Sequence, residues 1–352
     1  MTENIRDIQI GTVVETTLSA TRILGAACSE LLSLDPRTLP APEKLGDASN
    51  QQSLLILSDD HSRGRLADAL AKCALAAGHK VTILTQIHRQ LPEGAEELFG
   101  ARQDEAFLQA TLPKLRQEDG APRFTSVIDC GGKTSRDAQQ DLEFFCQCAS
   151  HIIFLSCDLV YDPLRRDFPT TQNNAAYCTA PDSPWTQLRQ AETEFLQAPA
   201  DGTAWTILRP TMLLIDEESL DDLPPFTRRL DAIRQEQDIL LPAGGHWLIQ
   251  PLFVEDLAKI VLALPASPES QRAIIDCAGP LRMEIRQFFE LAAQMLHKRF
   301  LPCDLPEAGM LEHHPEYAHY FCHRLYPLTW DFPNLPKPAT FPAEALKKIL
   351  LS

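Results

Sequence analysis

The chain has 352 residues and a formal charge of −16, with 32 Lys plus Arg against 48 Asp plus Glu. Its average field therefore repels phosphate backbones and anionic lipid, which argues against nucleic acid and membrane as partners. No run approaches the roughly 20 apolar residues of a spanning helix and Met1 to Gln9 is too polar for a secretory leader, so the expected compartment is the cytoplasm.

Residues 12–34 carry Val13, Val14, Leu18, Ile23, Leu24, Ala27, Leu31 and Leu32 at helical spacing up to Asp35-Pro36. Either this helix packs on the domain surface or it is a docking arm, through which two copies would form a homodimer. A Pro-rich polar linker follows to residue 52. Leu54-Leu55-Ile56-Leu57 is a continuous apolar run, as a buried parallel strand requires. After a turn over Ser58 to Gly64, the Arg65–Ala77 segment places Leu66, Leu70, Cys73 and Ala74 on one helical face, and Val81 to Thr85 is the next strand. This β-α-β unit is what the rest of the chain extends.

A short third strand, a turn at Gly100 and a helix are expected within Ala95–Leu112, and a fourth strand over Phe124–Cys130, closed by Gly131-Gly132. Then come a helix through Asp141–Ala149, a strand over Ile152–Leu155, a helix over Trp185–Gln197 and a strand over Trp205–Leu208. Strands alternating with helices predict an α/β fold with a doubly wound parallel Rossmann sheet. The remainder predicts a smaller C-terminal α/β lobe: helices over Leu220–Gln237, Glu255–Leu264 and Arg286–Leu296, extended chain over Leu248–Val254, and a strand over Ala273–Cys277.

The ten cysteines are scattered, several in apolar segments where a reduced thiol acts as a small hydrophobe, so no disulfide framework is implied. Cys146 and Cys148 form a C-x-C pair with no second pair to complete a zinc site. His313, His314, His319, Cys322 and His323 cluster near the end. With Tyr317, Tyr320 and Phe321 around them they read as an aromatic wall facing a pocket or partner, and no metal site is assigned.

Taken in order, these segments resemble the extended and atypical branch of the short-chain dehydrogenase/reductase superfamily, which includes nucleotide-sugar epimerases, dehydratases and reductases. The similarity covers about Ser53 to Ser352. It rests on the strand, turn, helix and Gly78-His79-Lys80-Val81 opening, and on Val127-Ile128-Asp129-Cys130-Gly131-Gly132. It continues through Phe154 to Tyr161, Ile207-Leu208-Arg209-Pro210, Gln250 to Leu262, and Ala278-Gly279-Pro280. Residues 1–35 are expected as a helical extension and 36–52 as linker from their own pattern; the resemblance implies 53–215 as a Rossmann-like dinucleotide-binding domain, and 216–352 as mostly a substrate or partner lobe with segments returning to the sheet.

It also implies where a cofactor, NADP or NAD, would lie. The three turn positions of the dinucleotide motif are His61, Gly64 and Ala67, with Ser62, Arg63 and Arg65 beside a positive helix end and Asp59 and Asp60 opposing a diphosphate. Gln86 takes the place of the acid that holds ribose hydroxyls, and Arg89 favours the phosphorylated cofactor. Gly100-Ala101 lacks the carboxylate that reaches adenine in the family. Cys130, Gly131 and Gly132, with Arg189 keeping a positive charge for a ribose or phosphate, complete the cofactor set.

The catalytic positions depart from the family. The tyrosine is Trp185, whose indole is no acid near neutral pH; the lysine is Arg189, which cannot deprotonate; the serine or threonine is Cys157. Substitute acids are Asp158, Tyr161 and Tyr177, and Cys157 is a nucleophile if a cation lowers its pKa; set against these stand a turn residue, packing tyrosines and a buried isostere of serine. The leading reading is a binding, regulatory or assembly subunit with at most residual NAD(P) binding, its partner a small-molecule nucleotide or a protein. The alternative is an active NAD(P)-dependent reductase, epimerase or dehydratase on a nucleotide-sugar or related carbonyl compound, with rewired acid/base residues.

Overall fold

The structure, a computed structural model, describes residues 51–58, 62–117, 119–162, 165, 167, 170–173, 176–215, 226–305, 326 and 330–351. The N-terminal helical segment, the linker up to Asn50 and the histidine cluster lie outside them.

Seven parallel strands form the central sheet: β1 (Ser53–Leu57), β2 (Lys80–Thr85), β3 (Glu96–Phe99), β4 (Phe124–Asp129), β5 (Ala149–Leu155), β6 (Ala204–Pro210) and, after four short strands elsewhere, β11 (Ala273–Cys277). Their spatial order is β11-β6-β5-β4-β1-β2-β3. The apolar runs become strands because both faces of the sheet are covered. On one face Leu54, Ile56, Ile83 and Ile128 pack with helix α1 (Ser62–Ala76) and with Leu257, Ile260 and Val261. On the other, Leu55, Leu57, Leu84 and Val127 pack with Leu108 of α2 (Glu105–Thr111) and with Phe145. Further along that second layer, Ala138 of α3 (Ser135–Glu143) and Leu188, Ala191 and Phe195 of α4 (Pro184–Gln197) cover Ile152, Phe154, Trp205 and Ile207.

One boundary differs from the sequence reading. The helix expected over Asp141–Ala149 instead starts at Ser135, and β5 already begins at Ala149. A capping box sets the start: the Thr134 hydroxyl accepts from the Asp137 amide at 3.3 Å, and the Asp137 carboxylate accepts from the Thr134 amide at 3.0 Å. His151 falls inside β5, where its Nε2 pairs with the Thr206 hydroxyl at 2.8 Å and burial lowers its pKa to about 4, so it is a neutral core residue.

The chain after Ile215 contributes both to the sheet and to the smaller lobe. Helix α5 (Phe226–Arg234) is described only from Phe226, and β8 (Ile239–Pro242) follows, while β7 (Leu213–Leu214) is the last strand before the gap. Then come β9 (Leu248–Ile249), β10 (Leu252–Phe253), α6 (Val254–Ala263), β12 (Met283–Glu284), α7 (Ile285–Met295) and β13 (Pro302–Leu305), with β8 parallel to β13 and β9 antiparallel to β12. The chain closes with α8 (Pro342–Leu351). Asp256, at the start of α6 and almost fully buried, accepts from the amides of Ala339 and Thr340 at 2.9 and 2.7 Å and from Lys259 at 3.0 Å, which fastens the final segment to the lobe. Among the described residues no helix is long and apolar enough to cross a membrane.

Candidate functional site at the carboxyl edge of the sheet

In an open parallel sheet, ligands bind outside the carboxyl ends of the strands where the strand order reverses. Here that point lies between β1 and β4, whose last residues, Leu57 and Asp129, are register partners. The first turn is partly described: Asp59, Asp60 and His61 lie outside the described residues. Ser62, Arg63 and Gly64, expected in the turn, instead form the first turn of α1, which starts three residues earlier than the apolar face suggested. Among the described residues, the buried Nη1 of Arg65 has no hydrogen-bond partner. An amide-rich helix start beside such a guanidinium fits a phosphate.

The adenosine side is built differently. Gly100 follows β3, and a side chain there would put Cβ 2.2 Å from the Phe107 ring, so the loop lies tight on α2 and carries Arg102 inward. Arg102 is 6% exposed. Its Nη1 donates to Asp129 at 2.7 Å, and its Nη2 donates to Asp141 and to the Asp137 carbonyl, both at 2.9 Å. The amides of Gly131 and Gly132, assigned from sequence to the cofactor, instead donate inward to Asp129 Oδ1 at 2.8 and 2.7 Å. Gly132 is needed for this: a Cβ would lie 2.2 Å from Asp129 Oδ2. Cys130 is fully buried behind β1, its amide donating to the Leu57 carbonyl at 3.0 Å.

Burial pushes the Asp129 carboxyl up, but Arg102, the hydrogen bond from Asp141 and the glycine amides outweigh it and hold the group below the usual carboxylate range. Asp141 goes the other way: burial and the neighbouring Asp129 charge raise it well above that range, against the pull of Arg102. At the end of β2, Gln86 is exposed, whereas Arg89, expected to meet a 2′-phosphate, forms an ion pair with Asp68 of α1 and donates to Ser58 Oγ at 3.1 Å.

The strands on the far side of β4 position a second cluster. Arg209, near the end of β6, is fully buried and forks onto Glu192 of α4, Nε to Oε1 at 2.8 Å and Nη2 to Oε2 at 2.7 Å. Ser156, just past β5, donates to Glu192 Oε1 at 2.6 Å, and Arg189 Nη1 donates to Oε2 at 2.7 Å. Arg209 Nη1 also donates to the Tyr161 hydroxyl at 2.7 Å, and that hydroxyl donates to both carboxylate oxygens of Asp276 on β11 at 2.8 and 2.9 Å. Tyr177 stacks on Tyr161 with ring centroids 5.4 Å apart, lies under Arg189 at 4.0 Å, and turns its hydroxyl to Arg209 Nη1 at 3.4 Å. Burial raises Glu192, yet Arg209 with the bonds from Ser156 and Arg189 holds it below the usual range. Burial pushes Asp276 up to about 6 against the pull of Arg209 and Tyr161.

The structure thus brings Arg189, Tyr161 and Tyr177 into one network, with both tyrosine hydroxyls turned inward rather than toward a substrate. Trp185 and Cys157 line the same apolar cluster, each half-buried, and Asp158 is fully buried in a short 3-10 turn. Sequence reasoning missed Arg102, Asp129, Asp141, Glu192 and Asp276. The available signal was charge inside apolar runs: Glu192 beside Leu188, Ala191 and Phe195, and Arg209 ending Trp205-Thr206-Ile207-Leu208, since a buried charge requires a partner.

No protein-family model and no curated protein matches the chain. Solved structures do. An epimerase from Methanothermobacter thermautotrophicus superimposes with a TM-score of 0.67 at 12% identity, over 86% of this chain and 92% of its own. UDP-glucose 4-epimerase from Thermotoga maritima, solved with UDP-glucose, gives 0.63 at 13% identity, over 85% and 97%. The Bordetella bronchiseptica enzyme WbmG, in complex with NAD, gives 0.62 at 12% identity, over 87% and 95%. The chain therefore has the Rossmann-like α/β fold of these proteins.

Proposed function

We propose that this chain is a binding, regulatory or assembly subunit on a Rossmann-like sheet, with at most residual NAD(P) binding and no turnover by the fold's tyrosine and lysine chemistry. The observation that carries the reading is the placement of Arg189. At the position where the resembled family has a lysine beside a tyrosine, its guanidinium is paired with Glu192 at 2.7 Å and laid on Tyr177 at 4.0 Å, and Trp185 takes the tyrosine's place. A guanidinium cannot deprotonate, and an indole supplies no acid for proton exchange. Such a platform would take a small nucleotide or a protein partner, in the cytoplasm, as one copy or as a homodimer.

The competing reading is an NAD(P)-dependent epimerase, reductase or dehydratase acting through Asp158 or Cys157. It is favoured by the solved structures above that hold UDP-glucose or NAD. Incubation of the purified chain with UDP-glucose and each nicotinamide cofactor, followed by product separation, decides between them. The expected result is no product above the cofactor-only background. Sustained turnover that is abolished by Asp158→Asn or Cys157→Ala overturns the proposal.

A further inference from the structure

We infer that the carboxyl edge over β2, β3 and β4 does not recognise adenosine, so that any phosphate-bearing ligand of this crevice is held without a contribution from an adenine nucleoside. In a dinucleotide fold the pyrophosphate lies at the first helix start and the adenosine extends over the strand that follows, its ribose held by a group near the end of that strand. In this chain the position for the ribose-holding acid is the neutral, exposed Gln86, and the charged and amide groups around it are spent internally. Arg102 reaches under the ends of β3 and β4 to two carboxylates, at 2.7 and 2.9 Å. The two amides after β4 point at Asp129 and not at the crevice. Arg89, at the ribose end of β2, is paired with Asp68.

Charge and space agree with this. Asp129, Asp137 and Asp141 surround one guanidinium, so the cluster carries no surplus positive charge with which to meet a nucleotide. Opening it for a ligand would strand carboxylates that are fully buried, a cost no exposed ribose contact returns. Gly132 is packed closely against Asp129 and Phe154, with no room for a Cβ between them. The helix start at Ser62 with Arg65 is a separate station, whose amides and unpartnered Nη1 suit a phosphate. The inference concerns the end of the crevice away from Trp185 and Arg189, so it stands or falls independently of whether the chain turns over a substrate.

The test compares ADP with inorganic pyrophosphate on the full chain by isothermal titration, alongside hydrogen–deuterium exchange of the backbone at Gly131 and Gly132. The expected result is that ADP binds no tighter than pyrophosphate, within about threefold, or that neither binds; a recognised nucleoside would be worth about tenfold or more, which is 1.4 kcal/mol. The two glycine amides should be protected in the ligand-free protein and unchanged by ADP. ADP binding more than about tenfold tighter than pyrophosphate overturns the inference. So does fast exchange at Gly131 and Gly132 without ligand, or exchange that slows when ADP is added. Because the exchange readout needs no variant, a substitution that fails to fold does not leave the question open.

Discussion

Two buried ion networks flank β5, and they solve the same problem by opposite means. Around Arg209 one carboxylate, Glu192, answers the guanidinium through a two-point fork and a second, Asp276, stands 4.0 Å away behind the Tyr161 hydroxyl, while Ser156 caps Glu192. Around Arg102 three aspartates compete for one cation; two glycine amides cap Asp129, and burial beside Asp129 favours the neutral form of Asp141. The first is a balanced pair in which each member depends on the other. The second is buffered, because its acids have alternative ways of being neutral or capped.

The difference sets the order of the expected effects. Arg209→Ala leaves Glu192 buried and facing only the partly exposed Arg189, so unfolding in urea should show a loss of about 3 to 5 kcal/mol. Arg102→Ala should cost less, about 2 to 3 kcal/mol, since Asp129 keeps its amides and burial already favours the neutral form of Asp141. Equal losses, or a larger one at Arg102, would break the comparison.

Asp276 sharpens it through pH. Its folded pKa is about 6 against an ordinary value of 3.8, so the folded state holds a proton that the unfolded chain has already released. Stability from this group is full below about pH 4 and is lost as pH rises through about 6, by about 2 to 3 kcal/mol in all. Asp276→Asn, which keeps an acceptor for Tyr161, should flatten the urea midpoint between pH 4 and 7 (roughly the interval of the two pKa values); an unchanged slope would remove Asp276 from the network's titration. The smallest effect is expected from Arg189→Lys. The side chain is 22% exposed, and loss of the planar guanidinium over Tyr177 should cost about 0.5 to 1 kcal/mol in the same assay.

The strands and most helices were legible because parallel strands buried on both faces must read as apolar runs, as in Leu54-Leu55-Ile56-Leu57. Helix α3 was not, because Ser-Arg-Asp-Ala-Gln-Gln-Asp-Leu-Glu has almost no apolar periodicity and only the Thr134-x-x-Asp137 cap marks its start. Of the candidate site, Arg189, Tyr161 and Tyr177 were legible in the sequence, and they meet in one network. What fills the crevice was not legible. Arg102 meets partners 27 and 39 residues away, and Gly131-Gly132 in a sequence is the same whether its amides face a ligand or an aspartate. Only the direction of those N–H bonds, a property of the folded loop, tells the two apart.

The fastening of the last segment by Asp256 bears on how the protein can be shortened. Its carboxylate takes two amide protons from Ala339 and Thr340, while Ala345 and Leu346 of α8 are fully buried in the main core. Proteolysis or a premature stop upstream of Pro336 would remove those donors and bare the apolar surface beneath, turning a chain whose sheet is complete into one prone to self-association. Residues 336–351 thus act as a cover for the core beneath them.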